Sequence, residues 1–205
     1  MGDGTPLPYE NAIEETAKAA NNAVDLVREG GRAIGPAIGN IYGLLIGDKV
    51  VAARTRRLDE ITRKTKKILQ DRDVQEKKEL PEDIAIPLLE AAQGEPREEL
   101  QELWARLLAN AMDPARANDV RPEFIDTVRK LQPIDTKILS IVSTTMAGNE
   151  RLQVAQLAER AKLRPSAAHV SVEHLVSEHC LQKIGGNALI ALTTFGTEFM
   201  IAVAP

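Results

Sequence analysis

Apolar residues recur along most of this chain at three- and four-residue steps, the spacing that lines one face of an α-helix. Ala12, Ile13, Thr16, Ala20, Ala23, Val24 and Val27 predict a helix over Tyr9 to Arg28, stopped by Gly30-Gly31. Val50, Leu58, Ile61, Thr65, Ile68 and Leu69 predict a second from Val50 to Leu69, with bases over its remaining surface. Pro81 with Glu82 and Asp83 makes a helix entrance, because proline fits the first turn and acids suit the positive end of the helix dipole. That helix, Ile84 to Ala92, contains Pro87 and is expected to kink or restart there. After the turn Gly94-Glu95-Pro96, Arg97 to Met112 gives the strongest pattern, with Leu100, Leu103, Trp104, Leu107, Leu108 and Ala111 in one stripe. Glu98, Glu99, Glu102 and Arg106 lie outside it. Asp113-Pro114 ends this helix, and Pro122 to Leu131 follows with Phe124, Ile125, Val128 and Leu131 inward.

The last stretch changes character. Helices are expected over Pro133 to Met146, Val154 to Ala161 and Ser166 to His179, separated by Gly148-Asn149 and by a Leu163–Ser166 turn. Leu181–Ile184 and Ala188–Thr193 then flank Gly185-Gly186-Asn187, a hairpin signal, and Thr194 to Ala202 forms a closing helix. Three helices followed by a two-stranded hairpin is the order of a winged helix-turn-helix module. The fold class is therefore mainly α, a helical N-terminal and middle region followed by a C-terminal winged helix with a small β-hairpin. Aromatic residues at 3% agree, since helices packed through Leu, Ile, Val and Ala need few of them and packed sheets use many.

Charge divides the chain further. The net charge of −4 conceals a net −4 over 1–30, zero over 31–48, +6 over 49–78, −6 over 79–132 and zero over 133–205. These segments are the expected organisation: an N-terminal helix (1–30), a glycine-register segment with a basic helix (31–78), an acidic helical region (79–132) and the winged-helix module (133–205). The basic surface, Arg54, Arg56, Arg57, Arg63, Lys64 and Lys67 foremost, suits anionic lipid, nucleic acid, or the acidic 79–132 segment of the same molecule. The acidic start has no apolar run and so no secretory signal, which points to the cytoplasm.

Six of the 13 glycines fall between Gly30 and Gly47, and Gly31, Gly35, Gly39, Gly43 and Gly47 stand every fourth residue. Each would cost a helix about 1 kcal/mol relative to alanine, so a register of five needs a reason such as close approach of another helix. Three readings stay open: close packing or self-association in water, a loop accommodating Pro36 and Asn40, or membrane action of the small-xxx-small kind at the inner membrane. The uncharged run Ala33 to Gly47 is 15 residues, short of the roughly 20 that span a bilayer.

Chemistry is sparse. His169, His174 and His179 share one predicted helix, but five-residue steps scatter the rings instead of gathering them for a metal. The lone Cys180 excludes an internal disulfide. No nucleophile motif, phosphate-binding loop or paired His/acid constellation is visible, so no enzymatic activity, cofactor or metal is expected. The third module helix offers Ser166, His169, Ser171, Glu173, His174 and Glu178 where a DNA reader would bring bases, which favours protein contact over sequence-specific DNA binding.

Leu80-Pro81 through Pro87-Leu-Leu-Glu-Ala-Ala, then Glu99-Leu-Gln-Glu-Leu-Trp-Ala-Arg-Leu-Leu-Ala-Asn-Ala-Met-Asp-Pro114, resembles the signature block of the Abi-alpha (abortive infection alpha) family. The resemblance continues through Arg121-Pro122-Glu-Phe-Ile, Leu131-Gln-Pro-Ile-Asp135 and Leu192-Thr-Thr-Phe-Gly196, covering roughly residues 30–205. It implies phage defence by abortive infection and carries over no catalytic residue; Asn110 and Asp113-Pro114 match the block and read as a helix-ending cap. The expectation is a cytoplasmic homo-oligomeric effector or adaptor, peripheral to the inner membrane through its glycine register, with another defence protein as a further candidate partner. The alternative is a winged-helix nucleic-acid regulator with Arg56, Arg57, Lys64 and Lys67 on phosphates.

Overall fold

The structure is a computed structural model that describes residues 49–186 and 188–205, with side chains described from Ala53 onward. The Tyr9–Arg28 helix, the glycine register and Asn187 lie outside the described residues. The chain divides into two compact units, one ending at Ile125 and the other running from Asp126 to Pro205. Among the described residues it is mainly helical with one small antiparallel sheet.

The first unit is built from α1 (Lys49–Asp71), α2 (Glu82–Gly94), α3 (Glu98–Met112), a short 3-10 turn (Ala117–Asp119) and the start of α4 (Pro122–Lys130). α1 packs on both α3 and α2, burying Leu58, Ile61, Thr62, Thr65 and Leu69. Instead of restarting at Pro87, α2 runs through it as one helix. Proline lacks only its own bond to residue 83, at the exposed end of the helix, and the remaining ladder carries it. The α3 stripe is wider than its leucines alone suggest, since Gln101, Ala105, Ala109, Asn110 and Met112 are buried beside Leu100, Trp104, Leu107, Leu108 and Ala111. Leu103, expected in that stripe, is only half-buried. Glu102 and Arg106, one turn apart, pair on its flank at 3.1 Å. Buried Glu95 turns its carboxylate onto the start of α3, accepting the Arg97 backbone N–H at 2.9 Å and its guanidinium at 2.7 and 2.8 Å. Burial alone would push this carboxyl up, but the Arg97 hydrogen bonds and charge, with that of Arg57, hold it below the usual carboxylate range.

The second unit contains the end of α4, then α5 (Pro133–Ala147), α6 (Val154–Ala161), α7 (Pro165–Ser177), β1 (Leu181–Ile184), β2 (Leu189–Leu192) and α8 (Thr194–Ala202). α5 packs against α6, α7, β2 and α8, and α6 against α7. Pro165 occupies the first helical position of α7, so the expected turn ends one residue early. At its other end α7 stops at Ser177, short of His179, which takes the left-handed conformation (φ 59°) and breaks the helix. β1 and β2 pair Leu181 with Leu192 and Ile184 with Leu189, while Leu152 adds a single bridge to Ile190. Gly185 (φ 68°) opens the turn between the strands. α8 starts on Thr193, whose Oγ1 accepts the Gly196 N–H at 2.8 Å, and Thr193 N–H reaches the Cys180 carbonyl at 3.1 Å.

Candidate functional site

α1 is two-sided. At 100° per residue, Leu58, Ile61, Thr62, Thr65 and Leu69 share one side, and Arg56, Arg63 and Lys67 cluster on the opposite one. Arg54, Arg56, Arg63 and Lys67 are exposed, whereas Arg57 and Lys64 are half-buried. Asp59 pairs with Arg63 at 3.2 Å and Glu60 with Lys64 at 3.8 Å, so acids temper the face without cancelling it. The basic helix lies on helices of the acidic region through its buried leucine, isoleucine and threonine side chains, with its exposed bases on the other side.

Beyond its C-terminus a polar cluster fastens α1. Arg72 Nη1 donates to Asn110 Oδ1 at 2.6 Å and stands 3.6 Å from Asp113 Oδ2. Asp113 Oδ1 accepts the Ala115 N–H at 2.9 Å, and Lys78 N–H donates to the Met112 carbonyl at 2.7 Å. Burial and the charges of Arg116 and Arg106 lower the Arg72 pKa against the opposing pull of Asp113. Asn110 and Asp113, expected as a helix-ending cap, thus also bind an arginine about forty residues earlier in the chain.

In the second unit the fold makes a His/acid pairing that the sequence does not display. Asp135, 2% exposed, accepts the Gln132 N–H at 2.7 Å, the Ser171 hydroxyl at 2.5 Å and a contact from His174 Nδ1 at 2.9 Å. Serine, histidine and aspartate are the residue types of a hydrolytic triad, but here the serine proton goes to the carboxylate and not to the imidazole. The arrangement ties α7 to the first turn of α5. The histidines face different partners: His169 Nε2 stands 3.4 Å from Glu173, His174 holds Asp135, and the His179 carbonyl accepts the Thr193 hydroxyl. On the outer side of α7, Glu173 is also bound by Lys183 of β1, and Val170 is 68% exposed.

Cys180 is fully buried, and burial, with the negative charges of Glu178 and Asp135 behind it, pushes its thiol up to about 12. The native protein is therefore expected to resist alkylation at pH 8 and to take up one label only when unfolded, which intact-mass measurement will read. Labelling of the native protein at the unfolded rate would contradict this burial.

Among the described residues no helix is long and apolar enough to cross a membrane. The features assembled above, a mainly helical chain with a two-faced basic helix and buried polar ties, lie within a stretch that a known family shares. The family model described as abortive infection alpha matches residues 53–183, and the chain belongs to that family. The match starts inside α1 and ends in β1, so it contains the Arg72–Asn110–Asp113 and Asp135–Ser171–His174 clusters. Neither curated proteins nor solved structures gave a significant match.

Proposed function

We propose that this chain is a non-enzymatic effector or adaptor of abortive infection, a phage-defence response, acting through self-association of its Gly31–Gly47 segment and through contact of α1 with an anionic membrane surface. The observation that carries this reading is the division of α1, apolar side on α3 and α2, bases outward, directly after the glycine register. Within it the second unit is a winged helix-turn-helix module, with α5, α6 and α7 as its helices and β1–β2 as the wing. Its α7 face, with exposed Val170 and a Glu173 already bound by Lys183, suits a protein partner better than a phosphate backbone.

One observation favours a second reading. The exposed large apolar side chains among the described residues all belong to the second unit, so α1 from Ala53 onward presents charge without an exposed large apolar side chain, which fits phosphate contact by a nucleic-acid regulator. Both readings meet in one experiment. Wild-type protein is expected to form oligomers and to sediment with anionic but not zwitterionic vesicles. Gly39→Val with Gly43→Val should abolish the oligomer, and Arg56→Gln with Arg63→Gln and Lys67→Gln should abolish sedimentation. A monomer indifferent to anionic vesicles overturns the first reading. Steeply salt-dependent binding to duplex DNA in its place supports the second.

A further inference from the structure

Within the side of α1 that faces its neighbours, Thr55, Leu58, Thr62, Thr65 and Leu69 follow the alternating three- and four-residue steps of a helix–helix seam, with Ile61 buried beside them. All five are buried, with Thr55 at 4%, Thr62 at 1% and Thr65 at 0% exposure. Threonine therefore stands at three positions where a stable seam would place leucine or isoleucine. The Thr65 hydroxyl is satisfied by the Ile61 carbonyl of its own helix at 2.8 Å and lies 3.3 Å from the Ala105 carbonyl of α3. Thr62 Oγ1 has no partner, and the other such buried side-chain atom among the described residues is Nε1 of Trp104 on α3, beside Ala105 in sequence. A buried polar atom without a partner has given up its hydration with nothing in exchange, so the docked state of this helix is weakened at its middle.

The far end is held differently. Leu69 is 1% exposed, Arg72 is bound by Asn110 and Asp113, and Lys78 is bonded through its backbone to the end of α3. We infer that α1 is a releasable arm: its middle and N-terminal turns lift off α3 and α2 while the Arg72–Asn110–Asp113 latch keeps its C-terminal end in place. Opening returns the Thr62 hydroxyl to water and swings the basic face away from α3 and α2. The inference stands on the seam and holds whatever the outward bases bind.

Native-state hydrogen exchange on the full chain tests it. Amides of Leu58 to Thr65 are expected to exchange through a local opening about tenfold or more faster than those of Trp104 to Leu108. Thr62→Val removes the orphan hydroxyl at nearly constant shape, and should slow α1 exchange by about fivefold or more with α3 unchanged. Arg72→Gln should carry the fast exchange through the last turn of α1. Exchange of α1 and α3 at one common rate overturns the arm, and so does a Thr62→Val protein whose α1 exchanges as fast as wild type.

Discussion

Replacing Gly196 by alanine is expected to destabilise the second unit by about 3 kcal/mol or more, at or beyond the upper end for overpacking a core. A Cβ at this position would stand 1.9 Å from the Cys180 carbonyl oxygen, 2.8 Å from its carbon and 3.1 Å from its Cα. All three are backbone atoms, so no rotamer change relieves the clash. The carbonyl also receives the Thr193 N–H that sets α8 against the strand. Either β1 is displaced at its first residue or α8 is pushed off its cap, and both disturb buried Leu181 and Phe199. Urea unfolding of the full chain, with hydrogen exchange across Leu181 to Leu192, measures the loss. Gly186→Ala, whose Cβ would meet nothing within 4 Å, is the matched control and should stay within about 0.5 kcal/mol of wild type. Equal midpoints for the two variants would refute the close approach.

Asp135→Ala is expected to cost about 3 kcal/mol, because it strips one buried carboxylate from three donors at once. The Gln132 N–H loses the acceptor that starts α5, the buried Ser171 hydroxyl loses its partner, and the ring of His174 loses its anchor on α7. The side chain of His174 is 31% exposed and can recover water, whereas Ser171 is 4% exposed and cannot. Asp135→Asn keeps an oxygen acceptor and should lose about half as much. Thermal unfolding ranks the two variants. An alanine variant as stable as the asparagine one would show that the carboxylate does not hold α7 in place.

These two residues also mark the limit of what could be read before folding. Helices α3, α6 and α8 and the β1–β2 pair follow from local signals: apolar spacing, Pro and Gly punctuation, and a Gly-Gly-Asn turn. Local physics settles such elements, and the structure places them within a residue or two of expectation. Leu103 was not settled that way. Periodicity puts it beside Leu100 and Leu107, while its burial depends on which neighbours cover that flank of α3, and Ala105, Ala109 and Asn110 lie deeper. The polar ties were hidden for the same reason. Asp135 lies 36 residues from Ser171 and 39 from His174, and Arg72 lies 38 from Asn110. No spacing rule connects positions so far apart. Gly196 was visible as part of a Leu-Thr-x-Phe-Gly ending, but its need for a bare backbone comes from the carbonyl beneath it. On α1 the sequence showed charge on one side and apolar residues on the other, and the structure added that the apolar side contains an unsatisfied threonine.

The hairpin carries one more consequence, for solubility. β2 is flanked by β1 and touched by Leu152 through Ile190, whereas β1, among the described residues, is paired along one side only. Such an open row of peptide groups invites a strand from another chain and is where ordered aggregates begin. Here the row is four residues long, Leu181 to Ile184, and Lys183 stands within it, held by Glu173. An incoming strand would find too few bonds to form and a charge to strip of its water. The unpaired edge is thus too short and too charged to seed uncontrolled stacking.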